Sequence, residues 1–305
     1  MIPGLAGAGV AGMLTGNSME IFKAAWGGFG RVIKGPKYNK ADVLAIMLVV
    51  FKLMKTLKAE GAVAMESHVE SPEAKLSAET IERDARRVFD VLVGGGTAII
   101  YLDVAYAILG RSEASVRKMY AAKSRSFSRP TGIVGCLELH DTLHSMDDRK
   151  REIIRAVTIK HDLPLSVIAP FKADHPFLRN LDPFVLNNAN KDGTLNLLIN
   201  AGRLRNRISV ISYEEMTPLV GSSANVSLTG SKYRVEDIEP EMIAAADVVI
   251  DYGLSRYHNP QGRSSTMIDF RDMSIVREGV CFEPIRDVIR NEFDVELRPK
   301  PETRK

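Results

Sequence analysis

Cysteine is nearly absent. Cys136 and Cys281 are the only two in 305 residues, too few for a disulfide framework and without the paired spacing of a zinc site. A reducing, cytoplasmic compartment is the expectation. Long apolar runs are missing too. A membrane-spanning helix needs roughly 20 consecutive apolar residues, whereas the strongest run, residues 41–54, is interrupted by Asp42 and Lys52 and has the spacing of an amphipathic or buried helix. Residues 1–14 form a shorter apolar stretch with no basic region before it, so neither a span nor a secretory leader is expected. The chain has no G-x-x-x-x-G-K-[ST] loop. Gly7 to Gly12 satisfies G-x-G-x-x-G literally, but six preceding residues cannot supply the strand that a dinucleotide site requires. Any nucleotide it uses must therefore be held by another arrangement. The charge excess, +3, is weak evidence for an anionic partner; it leaves an RNA contact open, although no interleaving of aromatic and basic residues marks a specific surface for one.

What is present is a globular composition, 45% apolar and 26% charged, with room for one large domain and an appendage. Asn17 or Asn39 can cap helices in the N-terminal part, which reads as largely helical, and residues 71–76 read as a linker. Ser77 begins a capped helix with Ile81, Ala85, Val88, Phe89 and Leu92 on one face, stopped by Gly94, Gly95 and Gly96. The apolar run 97–109 then predicts a buried strand leading into a turn. Further helices are predicted at 112–123, 147–160, 240–246 and 284–293, and strands at 132–139, 165–169, 194–200, 248–251, 266–270 and 275–277. Interleaved helices and strands argue an α/β domain with a single twisted sheet. His140 and His144, four apart near Asp141, Asp147 and Asp148, read as a polar helix start or loop more readily than as a metal cluster.

Two polar signatures carry the chemistry. Lys123-Ser124-Arg125 offers two cations one residue apart, and Gly221-Ser222-Ser223-Ala224-Asn225, about 100 residues later, offers hydroxyls and an amide in a tight small-residue turn. The strings "GRSSTMIDF" and "IVREG" follow in order, bringing Ser265, Thr266 and Arg277. With K-x-R followed by S-x-N, residues 77–295 resemble the YrdC family of threonylcarbamoyl-adenylate synthases. The resemblance implies a twisted mixed sheet with flanking helices around a cleft. It also implies formation of threonylcarbamoyl-adenylate and pyrophosphate from ATP, bicarbonate and L-threonine, for modification of adenosine 37 of tRNA by a partner enzyme. Lys123 and Arg125 would then supply exposed, fixed positive charge to the phosphates. Ser223 and Asn225 would hydrogen-bond the phosphates or the threonine-derived group, Ser265, Thr266 and Arg277 would complete the nucleotide cleft, and Mg2+ would bridge the phosphates without a dedicated protein site.

The chain departs from the family at "YLDVAYAILG". Asp103 and Tyr106 remain, but Leu102 and Val104 stand where the family has threonines and Ala107 where it has glycine, and "SFS" is inserted before Arg129-Pro130. Lost hydroxyls suit a different acceptor, so O-carbamoyltransferase-like use of carbamoyl phosphate is the alternative. A second resemblance covers residues 1–73, which are similar to the juxtamembrane and early cytoplasmic part of the flagellar stator protein MotA. Lys58 and Glu66 match that family's rotor-facing basic and acidic residues. This leaves a third reading, a rotor-interacting fragment joined to an inactive domain. The predicted division is 1–73, 77–295 and a tail 296–305.

Overall fold

The computed structural model describes residues 71–299. The expectations on residues 1–70, among them the helical reading, the Gly7–Gly12 string, Lys58 and Glu66, lie outside the described residues. In chain order the elements that matter are α1 (Ala78–Val93), β1 (Ala98–Ile100), β2 (Ala107–Gly110), α2 (Glu113–Ala122), β3 (Gly132–Ile133), α3 (Leu137–Leu143) and α4 (Asp148–Arg155). They continue with β4 (Leu165–Pro170), α5 (Pro183–Ala189), β5 (Thr194–Ile199), α6 (Arg203–Glu214), β6 (Val220–Ser223), α7 (Pro240–Ala244), β7 (Val248–Ile250), β8 (Met267–Asp269), β9 (Ser274–Arg277), α8 (Phe282–Phe293) and β10 (Arg298–Pro299). The strands form one mixed sheet in the order β10-β9-β8-β4-β5-β3-β6-β2-β1-β7. This is the α/β architecture the interleaved pattern predicts. Among the described residues, no helix is long and apolar enough to cross a membrane.

Local chemistry accounts for most of the elements. The Ser77 hydroxyl accepts from the Thr80 amide at 3.1 Å and starts α1, whose buried stripe contains the five expected apolar residues. Gly95, at φ +89°, ends it in a conformation that favours glycine. The run 97–109 forms two antiparallel strands, β1 and β2, joined by a buried turn over 101–106. The strand predicted at 132–139 shrinks to β3, because Cys136, Leu139, His140 and Leu143 are spaced for a helix and are buried on α3. Helices α5 and α6 were not predicted. In α6, Leu204, Ile208 and Ile211 are fully buried, but buried Arg205, Ser209 and Ser212 break the apolar stripe in the sequence.

Alternation along the central strands builds the cleft. Leu165, Val167 and Ala169 on β4, and Leu195, Leu197 and Ile199 on β5, are buried, while Ser166, Asn196 and Leu198 between them point to the opposite face and line a cleft. The segment "GSSAN", read as a turn, begins as strand β6, clamped between β3 and β2. Gly221 makes that possible: a Cβ there would lie 2.5 Å from Leu109 Cδ2.

Both predicted domain edges need correction. Residues 71–76 are part of the domain, with Glu73 fully buried, and the compact unit begins at Ser71. Glu73 Oε1 accepts from the Leu204 amide at 2.8 Å, and Oε2 accepts from the Arg203 amide, so a carboxylate sits on the N-terminus of α6. Burial first, and then the charge of Asp103, push the Glu73 carboxyl up to about 7. At the other end, β10 pairs in parallel with β9, so the predicted tail contributes to the sheet.

His140 and His144 form a fully buried pair, with Nδ1 atoms 2.9 Å apart and neither Nε2 partnered. They are neither loop residues nor part of a metal cluster: no group of three or more His, Cys, Asp or Glu poised for a metal occurs among the described residues. Burial first, with the charges of Arg151 and Arg155 for His140, and the neighbouring His140 and then Arg151 for His144, lowers both pKa values. The unfolded chain takes up these protons near pH 6.5, whereas the fold resists them. The stability held by the neutral pair is therefore complete above pH 6.5 and lost as pH falls toward the folded values. Urea melts at pH 7.5 and 5 should show a smaller acid loss for His140→Leu/His144→Leu than for the parent chain. An identical loss in both would refute this assignment.

Candidate active site

The cleft runs across the sheet face between β2, β6, β3 and β5 on one side and the start of β8 on the other. Of the seven residues singled out in the sequence, Arg125, Ser223, Ser265 and Arg277 line it, and Lys123, Asn225 and Thr266 do not. The structure thus separates residues that face the cleft from residues that shape it.

Arg125 follows Ser124, whose φ of +46° turns the chain back toward the sheet after α2. Its Nη1 donates to Ser222 Oγ and its Nη2 to the Pro130 carbonyl, both at 2.8 Å, while its Nε has no partner. Across the cleft, Arg277 Nε donates to the Ser265 carbonyl at 2.9 Å and Nη2 to Ser265 Oγ at 3.0 Å. Ser265 Oγ is also 2.8 Å from Ser166 Oγ. Desolvation by the cleft walls, and then the Arg125 charge, lower the Arg277 pKa, although its surface stays open at the cleft mouth. Two guanidiniums close enough to repel, on a lining that includes no Asp or Glu, form a site that an anion would neutralise.

Lys123 behaves differently from the exposed cation expected. It is 1% exposed, and its Nζ donates to the carbonyls of Asn225, at 2.7 Å, and of Ser223. Burial first, then the Arg125 charge, with Glu239 opposing, lower its pKa to about 7. Its ammonium is spent on fixing the backbone at the end of β6. Asn225, 7% exposed, accepts from Ser223 Oγ and donates to the Val226 carbonyl at 2.6 Å, so S-x-N is an internal brace with Ser223 at its cleft edge. Thr266 is fully buried, its hydroxyl donating to the Val280 carbonyl at 2.7 Å and accepting from the Gly279 amide at 3.1 Å. These bonds hold Ser265 beside Arg277.

Arg205 on α6 was not singled out in the sequence, yet it lines the cleft. It is 3% exposed, and Nη1 donates to the Gly135 carbonyl at 2.7 Å. Its position inside an unpredicted helix hid it. Ser166, Asn196 and Ser222 were missed for a similar reason, since only strand register shows that they face the cleft. The departing segment forms one wall: Leu102, Val104, Tyr106 and Ala107 line the cleft, whereas Asp103 points away, accepting from Ser71 Oγ at 2.7 Å and Tyr101 OH at 3.1 Å.

Over 221 residues, 70% of this chain and 94% of the relative, the chain is 27% identical to a putative threonylcarbamoyl-AMP synthase of Methanocaldococcus jannaschii. Its fold matches that of P. abyssi Sua5 complexed with L-threonine, with a TM-score of 0.57 and 19% identity over 73% of this chain and 62% of that one. The described residues have a Sua5-like fold. A hypothetical protein from Streptococcus mutans UA159 shares the same fold at a TM-score of 0.58 and 18% identity, over 71% of this chain and 94% of that one. Residues 3–61 match a different family, the N-terminal region of motility protein A. A Sua5-like fold thus follows a segment that matches motility protein A, in line with the two sequence resemblances.

Proposed function

We propose that the Sua5/YrdC-like domain converts ATP, bicarbonate and L-threonine into threonylcarbamoyl-adenylate, pyrophosphate and water, the water leaving as the amine and bicarbonate form the carbamate, in the cytoplasm, for modification of tRNA adenosine 37. The observation that carries this reading is the pairing of Arg125 and Arg277 across a cleft whose lining has no carboxylate. In the reaction a carbamate oxygen bonds to the α-phosphorus and the bond to pyrophosphate breaks. Negative charge accumulates on the phosphoryl oxygens, and preorganised guanidiniums and hydroxyls would stabilise it there. Arg125 and Arg277 are the charge donors, and Ser222, Ser223 and Ser265 are the oriented hydroxyls. With no acidic residue on the lining, the protein does not fit a resident metal, and magnesium would arrive on the phosphates of ATP.

The apolar wall supports a second reading. Leu102 and Val104 face the cleft where the family pattern has threonine hydroxyls, which favours an acceptor other than threonine, with carbamoyl phosphate as the carbamoyl source. Pyrophosphate release, followed with ATP and bicarbonate plus each amino acid in turn, or with ATP and carbamoyl phosphate, separates the two. Threonine-dependent release is the expected result. Release with carbamoyl phosphate alone would move the assignment to the second reading, and silence in every arm from folded protein would sink both.

A further inference from the structure

A third cation in the cleft is not accounted for by the polyphosphate. Arg205 is buried, makes its one hydrogen bond to the Gly135 carbonyl, and has no carboxylate partner among the described residues. Among the described residues the ionisable group that acts on it is the Cys136 thiol, which burial first, and secondarily Glu138, push up to about 11 and so keep neutral. A buried guanidinium without a counter-charge is expensive to maintain unless an anion comes to it. Arg205 also stands apart from the other two. Its anchor is the Gly135 carbonyl, whereas Arg125 is held by Ser222 and the Pro130 carbonyl and Arg277 by Ser265.

Its surroundings indicate the size and shape of the missing anion. Asn196, on the same lining, buries an unpartnered amide Oδ1, an acceptor that calls for an O–H or N–H donor on the ligand. Ile133, Val134 and Leu198 fill the neighbouring lining with apolar surface. A fork of donors and an amide acceptor on one partly apolar lining suit a small planar anion that also carries a proton donor, the O–H of bicarbonate or the ammonium of an amino acid, better than a phosphate chain. We infer that Arg205 holds an anion of the carboxylate class, either bicarbonate or the carboxylate of an amino acid, in a subsite distinct from that of Arg125 and Arg277. The inference deepens the adenylation reading and rests on it only for the neighbouring polyphosphate.

The test is calorimetric titration of the full chain, without ATP, using bicarbonate, L-threonine, L-threonine amide and pyrophosphate as separate probes. The parent chain should bind bicarbonate or L-threonine. Loss of binding for the amide marks the amino-acid carboxylate as the source, and bicarbonate binding marks the other. Arg205→Met should weaken that probe about tenfold or more, the size expected for one lost charged hydrogen bond, and leave pyrophosphate within about twofold. Arg205→Lys keeps the charge but not the fork and should also weaken it. Melting should be unchanged or higher for Arg205→Met, because an uncompensated charge is removed; a purely structural arginine would give lower melting. Unchanged anion binding in Arg205→Met, no carboxylate-class binding by the parent chain, or unfolding of both variants would overturn the inference. Loss of pyrophosphate binding with carboxylate binding intact would instead count against the adenylation reading and leave the subsite standing.

Discussion

Lys123→Ala is expected to lower stability by about 2–4 kcal/mol and pyrophosphate-forming turnover by a factor on the order of 10². The stability loss follows from two carbonyls, of Ser223 and Asn225, that would lose their shared donor inside the protein. Removing a poorly solvated amine offsets part of that loss. Turnover should fall because Ser222 and Ser223 are carried by the strand end that Lys123 fixes, and Ser222 Oγ is the partner of Arg125. Denaturant melts and the pyrophosphate assay read the two effects separately. Full stability with lost turnover would mean that Lys123 touches substrate directly instead of positioning β6. Titration gives a second signature. The Lys123 pKa is lowered to about 7, and the unfolded chain keeps that proton to about 10.4. The unfolded state therefore binds more protons between those values, and the Lys123 contribution to stability should rise with pH across that window.

Gly279→Ala should be at least as damaging. A Cβ at this position would overlap the Ser264 carbonyl oxygen and the backbone of Ser265, which are main-chain atoms with no rotamer to yield. The cost is expected to be about 3 kcal/mol or more, as for other overpacked sites. The damage should reach the chemistry, because the displaced segment holds the carbonyl and hydroxyl that orient Arg277. Melting and pyrophosphate release should fall together, and a variant native in both would show that the Ser264–Gly279 contact has room to relax. The closing R-x-G pattern thus has a steric reason: Arg277 faces the cleft, and Gly279 lets the segment carrying Ser265 approach.

The residues whose roles were legible in the sequence are those whose chemistry is local. Ser77, the α1 stripe and the triple glycine depend on neighbours within one turn, and they fold as read. The order of K-x-R, S-x-N, Ser265 and Arg277 identified the sheet-and-cleft architecture. What escaped was anything decided by distant partners. Lys123 reads as a solvated cation until β6, 100 residues away, presents two carbonyls to it. The stretch "GRLRNRIS" looks polar, and only packing of α6 against α1 reveals a helix with an arginine inside. His140 and His144 look like surface polarity because the pairing that buries them leaves no trace in composition.

The Glu73 contact redraws where one part of the polypeptide stops and the next begins. The sequence resemblance would place the cut at Ser77, yet the carboxylate that receives the first amides of α6 lies upstream of that point. A fragment begun at Ser77 would leave those amides bare at the foot of the helix that presents Arg205 to the cleft. A working fragment of this domain should therefore begin no later than Ser71, whose hydroxyl meets Asp103.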